Sequence, residues 1–93
     1  MLLPDEIIVI GSWSDGDEKS LRIQNFVVDG ETFIPIFSDE PTFRQLTLGS
    51  GYEASGVGVD RMFLARLLRG DELLVLNPGS ATSCRLRATD LRN

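Results

Sequence analysis

Five of the arginines in the last third of the chain stand out: Arg61, Arg66, Arg69, Arg85 and Arg87. Their chemistry is recognition of carboxylate or phosphate by a planar, permanently charged fork, not bond making. Packing of the helix that carries the first three beside the strand that carries the last two would gather them into one basic patch for an acidic partner. The competing reading is a solvated helix face and a wet strand face, where surface charges do nothing specific. Trp13 and Tyr52 are the other contact candidates, because exposed aromatic side chains carry binding energy. Trp13 falls at a strand end, where core or rim burial suits it equally. No aromatic residue is interleaved with the arginines, which argues against single-stranded nucleic acid as a partner.

Other reactive groupings are sparse. The sequence has no histidine, so Ser-His-Asp and Cys-His nucleophile pairs are excluded, along with the commonest neutral-pH base. His-containing zinc sites go with them, and the single Cys84 excludes an intrachain four-cysteine site. Carboxylates are plentiful, but nothing sets two of them in an apolar pocket, where one would serve as a proton donor. No enzyme activity, metal or cofactor is therefore expected. Three segments still invite a ligand reading. SDGDE at 14–18 groups carboxylates but lacks the twelve-residue spacing and closing glutamate of a calcium loop, so it reads as a solvated turn. GSGYEA at 49–54 matches the glycine pattern of a dinucleotide loop, with Asp71 at a suggestive distance. That loop needs a strand before it and a helix directly after it; here a helix is expected before it, and Gly56 and Gly58 come after it. NPGS at 77–80 ends an apolar run, and no lysine-bearing helix follows, as a phosphate loop would require. Pro78 suits the second position of a type II turn and Gly79 the third, while the proline should keep Asn77 extended. An anion nest of backbone amides is the alternative there.

A chain of 93 residues fits one small domain with a modest core. Its net charge of −5 is unevenly spread. Eleven acids stand against three bases up to Asp60, and six arginines against three acids beyond it. Such an acidic chain repels nucleic acid and anionic lipid overall. The longest apolar runs, at 7–10 and 73–76, fall far short of the ~20 residues that cross a bilayer. MLLPDEI shows no basic region or apolar segment of an export signal. With one cysteine, these features lead us to expect a cytoplasmic protein with neither nucleic-acid nor membrane partners.

The elements that must position the candidate residues can be read from period and punctuation. EIIVIGSW at 6–13 is β-branched and should be a strand buried on both faces for part of its length, followed by a reversal at Asp15-Gly16. Leu21 and Ile23 alternate with polar residues, as in a strand with one wet face. Asp29-Gly30 should turn that strand back on the next. In the returning strand Phe33, Pro35 and Phe37 share one face, and Ile34 and Ile36 the other; Pro35 should place it at an edge or break its pairing. Ser38 and Asp39 can cap a helix over 39–48 that Gly49 ends. A short strand follows near Val57 and Val59. Asp60 caps a second helix, RMFLARLLR, with Phe63, Leu64 and Leu67 on one face, Leu68 at its border and arginines opposite, and Gly70 ends it. Strands at 72–76 and 83–88 follow, the latter with Cys84 and Leu86 inward and Arg85 and Arg87 outward. A terminal helical turn capped by Thr89 closes the chain. The expected class is α+β: a single mixed, largely antiparallel sheet of five to six strands, with two short helices packed on one face.

Two segments together carry a family resemblance. FIPIFSDEPTF at 33–43 resembles the aromatic-x-Pro-x-Phe segment of the SseB-like N-terminal domain, and LLVLNPGS at 73–80 resembles its later strand and Asn-Pro turn. The intervening helix ending LARLL sits where that domain has one, so the resemblance covers about residues 19–91. It implies a small bacterial α+β domain, found in proteins linked to serine sensitivity and sharing its name with a secretion-system component. It implies no catalytic residues. The leading functional expectation is a non-enzymatic protein-binding or regulatory module, with homodimerisation one way to cover an edge strand. The alternatives are a small-molecule or anion sensor that uses the 49–58 loop and the 77–80 turn, and an immunity or chaperone-like partner of a secreted protein.

Overall fold

The computed structural model describes residues 3–13 and 21–92. The SDGDE segment and the Asp15-Gly16 reversal lie outside the described residues. Among these residues seven strands, two α-helices and a closing 3-10 turn follow in the order β1 (Glu6–Trp13), β2 (Leu21–Ile23), β3 (Phe26–Val28), β4 (Glu31–Phe37), α1 (Glu40–Thr47), β5 (Gly56–Asp60), α2 (Arg61–Leu67), β6 (Leu73–Leu76), β7 (Cys84–Arg87) and the turn Ala88–Arg92. All the strands join one mixed sheet, so the α+β class holds. The extra strand arises at Gln24-Asn25. Before it the chain pairs with β1, and after it with β4.

The sheet runs β5-β1-β4-β6-β7 at its centre, with β4 and β6 parallel and the other pairs antiparallel. Pro35 therefore lies in an interior strand, not at an edge. The other expectation for it, a break in pairing, is what occurs. Residues 31–33 of β4 pair with β3, whereas Ile36 and Phe37 pair with β1. Extending the β1 register by one residue would oppose Pro35 to Ile10, a position calling for a donor that proline lacks. The Ile10 carbonyl is served instead by Gln24 N–H at 2.8 Å. The β2–β3 segment thus enters the sheet where proline cannot donate.

Both faces of β1 and β4 are apolar, and each face is covered separately. Ile7, Val9, Ile34 and Ile36 join Leu64 and Ala65 of α2 in the main core, with Leu74, Leu76 and Leu91. Ile10 and Phe37 pack instead with Phe43 of α1. Successive strand residues point to opposite faces, so the two helices lie on opposite sides of the sheet, not on the one face expected. One-sided packing would have left a face of these strands bare.

Local chemistry accounts for most element ends. Asp29 and Gly30 have φ of 54° and 79°, the positive values a two-residue hairpin needs, between the paired Val28 and Glu31. The Asp39 carboxylate accepts Thr42 N–H at 2.8 Å and Asp60 accepts Met62 N–H at 2.7 Å, capping the two helices. The second helix stops at Leu67, short of the expected run to Arg69. Arg69 and Gly70 N–H turn to the Glu72 carboxylate at 2.8 and 2.9 Å, which draws the chain out of the helix. Leu67 is consequently 44% exposed, and Ala65 takes a place in the core. The terminal turn forms as 3-10 helix from Ala88, and Asp90, not Thr89, accepts the Arg87 N–H. Asn77 has φ 47°, so it is left-handed rather than extended. The turn after it is as expected: Ser80 N–H donates to Asn77 O at 3.1 Å, with Gly79 at φ 84°. No helix among the described residues is long and apolar enough to cross a membrane.

Candidate functional site: an open sheet face around Phe33

On the α1 side the helix covers only the Phe37 end of β4, where Phe37 and Phe43 meet edge to face with centroids 5.1 Å apart. Four residues back along the same face, Phe33 is half-buried with no helix over it. Alternation brings Phe26 and Val28 of β3, Val75 of β6, and Arg85 and Arg87 of β7 to this face. Phe26 stacks on Phe33 at 6.2 Å and meets Tyr52 edge-on at 5.2 Å, giving a row of three rings. Such contacts add about 0.5–1.5 kcal/mol per pair beyond area burial.

Three hollows meet at Phe33. One of about 170 Å³ is almost wholly apolar, between Phe26, Pro35, Leu46, Tyr52 and Pro78. A second of about 360 Å³ runs towards Asn25, Asp71 and Arg87. The third, about 560 Å³, is bounded by Val28, Glu31, Val75 and Arg85. Charged groups edge this apolar centre. Arg85 grips Glu31 with both nitrogens, Nη1 to Oε1 at 2.9 Å and Nη2 to Oε2 at 2.6 Å. That hydrogen-bonded pairing holds the Glu31 carboxyl below its ordinary range and raises Arg85 above its own. Arg87 Nη1 donates to Asp71 O at 3.2 Å.

The five candidate arginines do not form one patch. Cys84 and Leu86 pack on the main core under α2, so Arg85 and Arg87 point to the α1 side, away from the helix that carries the other three. Arg61 is a structural residue, its side chain only 16% exposed. Its Nη1 donates to Leu91 O at 2.7 Å and its Nη2 lies 3.7 Å from Asp5. Arg66 and Arg69 are exposed at the end of α2. Trp13, 46% exposed, leans on Phe63 at 6.0 Å on the α2 side, remote from Tyr52. Of the seven candidates, Tyr52, Arg85 and Arg87 belong to the Phe33 face. Sequence reasoning missed Phe26 and Phe33 as contact residues. The Phe33-x-Pro-x-Phe37 alternation fixed their face, but not how little of it an eight-residue helix covers.

The two loops of the sensor reading are tied up internally. Gly49 and Gly51 N–H donate to the Glu53 carboxylate at 2.6 and 3.0 Å, so a side chain of the loop itself occupies the place of an anion. Hydrogen bonds from its own N–H and from those glycines hold the Glu53 carboxyl below its ordinary value. In the later turn Asn77 N–H donates to Ile36 O at 2.7 Å, and Ser80 N–H closes the turn. Among the described residues, no three Asp, Glu, Cys or His side chains are grouped to hold a metal ion.

No curated protein and no solved structure matches the chain. A sequence model of the SseB protein N-terminal domain matches residues 1–93, extending the resemblance back through β1. The order β4-α1 followed by β6 and its Asn-Pro turn, which carries that resemblance, stands in the fold as a parallel strand pair joined at one end by Asn77 and Ser38, and the chain belongs to the SseB N-terminal domain family.

Proposed function

We propose that the domain is a non-enzymatic protein-recognition module that engages its partner through the open sheet face around Phe33. The observation that carries this reading is the convergence of three hollows on one half-buried aromatic ring. An aromatic centre with a charged rim is the anatomy of binding surfaces in which few residues supply most of the energy. A sensor of small anions has less support, because Glu53 already takes the loop amides. The single cysteine and the family resemblance support a bacterial cytoplasmic setting.

Site-specific photo-cross-linking tests the reading. A benzophenone amino acid at position 33 should give a discrete adduct in cell extract, and Val28→Asp should abolish it. The same probe at Leu67, exposed on the other face, should not give that adduct. An adduct at twice the chain mass would identify a second copy as the partner. Absence of any adduct from position 33, or the same adduct from Leu67, would remove this face from the account.

A further inference from the structure

Among the described residues, β5 and β7 close the two sides of the central five strands, and their outer edges differ. Cys84–Arg87 is short and blunted: its Arg87 N–H is taken by Asp90 Oδ2 at 2.9 Å, and arginines flank it, the usual protection of an edge. Gly56–Asp60 is built otherwise. Gly11 N–H donates to Ser55 O and Arg61 N–H to Asp5 O, so the backbone groups of Val57 and Val59 face β1. Those of Gly56 and Gly58 therefore point out of the sheet. Both glycines are exposed, and no described residue accepts from either N–H. Gly56 has a packing reason, since a Cβ there would sit 2.7 Å from the Phe43 ring. Gly58 has none: its φ is not positive, and a Cβ would meet its nearest neighbour at an ordinary 3.5 Å. A strand glycine without a packing role marks a place where another backbone can approach.

Beside this edge runs a groove of about 580 Å³ between β5 and the first turn of α1. Ile8 and Phe43 give it an apolar floor; Glu6, Asp39, Glu40 and Glu53 line it, with Arg44 as the one base among the described lining residues, itself 3.3 Å from Glu40. We propose that the outer edge of β5 is a strand-addition site for an extended basic segment of a partner protein. The incoming backbone bonds to Gly56 and Gly58, and its alternate lysine or arginine side chains enter the acidic groove. Strand addition draws affinity from main-chain hydrogen bonds and specificity from alternate side chains, and opposite charge selects the partner while like charge repels it. This site stands independently of the Phe33 face.

Fluorescence anisotropy with a labelled Lys-Val repeat peptide, and a Glu-Val repeat as control, tests the proposal on the intact chain. The basic peptide should bind and the acidic one should not. Glu6→Lys and added salt should each weaken binding by about fivefold or more. Gly58→Pro removes an outward donor without touching the β1 ladder and should weaken binding about tenfold. Peptide N-methylation needs no change in the protein. Methyl groups on one alternate set of residues should abolish binding, and on the other set leave it intact, since only one edge of an added strand faces β5. Absence of binding by the Lys-Val peptide, equal binding of the Glu-Val peptide, or equal tolerance of both methylation patterns would overturn the proposal.

Discussion

Asn77 and Ser38, 39 residues apart, hold each other at the ends of the two parallel strands. Asn77 Oδ1 accepts Ser38 N–H at 3.0 Å, and its Nδ2 donates to Ser38 Oγ at 3.2 Å and to Thr82 Oγ1 at 3.2 Å. The residue is 4% exposed. One amide thus fastens the start of α1 to the turn between β6 and β7. Asparagine suits the place twice, because it tolerates positive φ and has both donor and acceptor.

Asn77→Ala should therefore destabilise the domain by about 2–4 kcal/mol, through lost buried hydrogen bonds and a strained backbone. Asn77→Gly relieves the strain but not the lost bonds and should cost about 1–2 kcal/mol. Urea unfolding of both variants checks the order. Equal losses would mean that the left-handed backbone contributes nothing.

Arg61 and Arg66, five positions apart on one helix, should behave oppositely. Arg61 bridges the strand β1 entrance and the Leu91 carbonyl from a largely buried position. Arg61→Ala should cost about 1.5–3 kcal/mol, the range for hydrogen bonds to charged groups. Arg66→Ala, on the exposed side, should stay within about 0.5 kcal/mol. Thermal unfolding of the pair reads the difference directly.

Period and turn chemistry were legible in the residues. The Asp29-Gly30 hairpin, both helix caps, the inward Cys84 and Leu86, and the NPGS turn all follow from rules that act over a few residues. What was not legible depends on distant partners. Whether Pro35 sits at an edge or at a change of partner is decided by Gln24 reaching Ile10. The left-handed Asn77 is sustained by Ser38 and Thr82 against the local preference imposed by Pro78. Arg61 looked like one more solvent-facing arginine on a helical projection; only the return of the C-terminal turn over α2 buries it. The Phe33 face was half legible, since alternation gives its residues but coverage by α1 is a three-dimensional fact.

Acid should loosen the domain in a defined window. Asp39, Glu53 and Glu72 all have lowered pKa values. For Asp39 the cause is its bonds to Thr42, side chain first. For Glu72 partial burial pulls upward, but the N–H groups of Arg69 and Gly70 prevail. A carboxylate whose folded pKa is depressed stabilises the fold fully above its unfolded value and loses that contribution as pH falls towards the folded value. Loss should therefore begin near the ordinary glutamate value of 4.5 and continue below it. Glu53→Gln should flatten the fall in stability between about pH 5 and about pH 3. An unchanged slope in urea titrations across that range would show that the carboxylate on Gly49 and Gly51 contributes no pH dependence.

Gly56 and Phe43 should be coupled energetically. A Cβ at residue 56 would lie 2.7–2.8 Å from Phe43 Cε2 and Cζ, and that ring is fully packed between Phe37 and Ile10. Gly56→Ala should cost about 1–3 kcal/mol, as overpacking does. Phe43→Leu alone should cost about 1–2 kcal/mol by removing ring contacts. Combined, the smaller side chain makes room for the methyl group, so the double variant should be less destabilised than the sum by at least about 0.5 kcal/mol. Gly58→Ala, where a Cβ meets only the Glu6 carboxylate at 3.5 Å or more, provides the contrast and should leave stability within about 0.5 kcal/mol. Additivity of Gly56→Ala and Phe43→Leu would mean that α1 can shift away from the sheet, and that its coverage of the Phe37 end is not fixed by this contact.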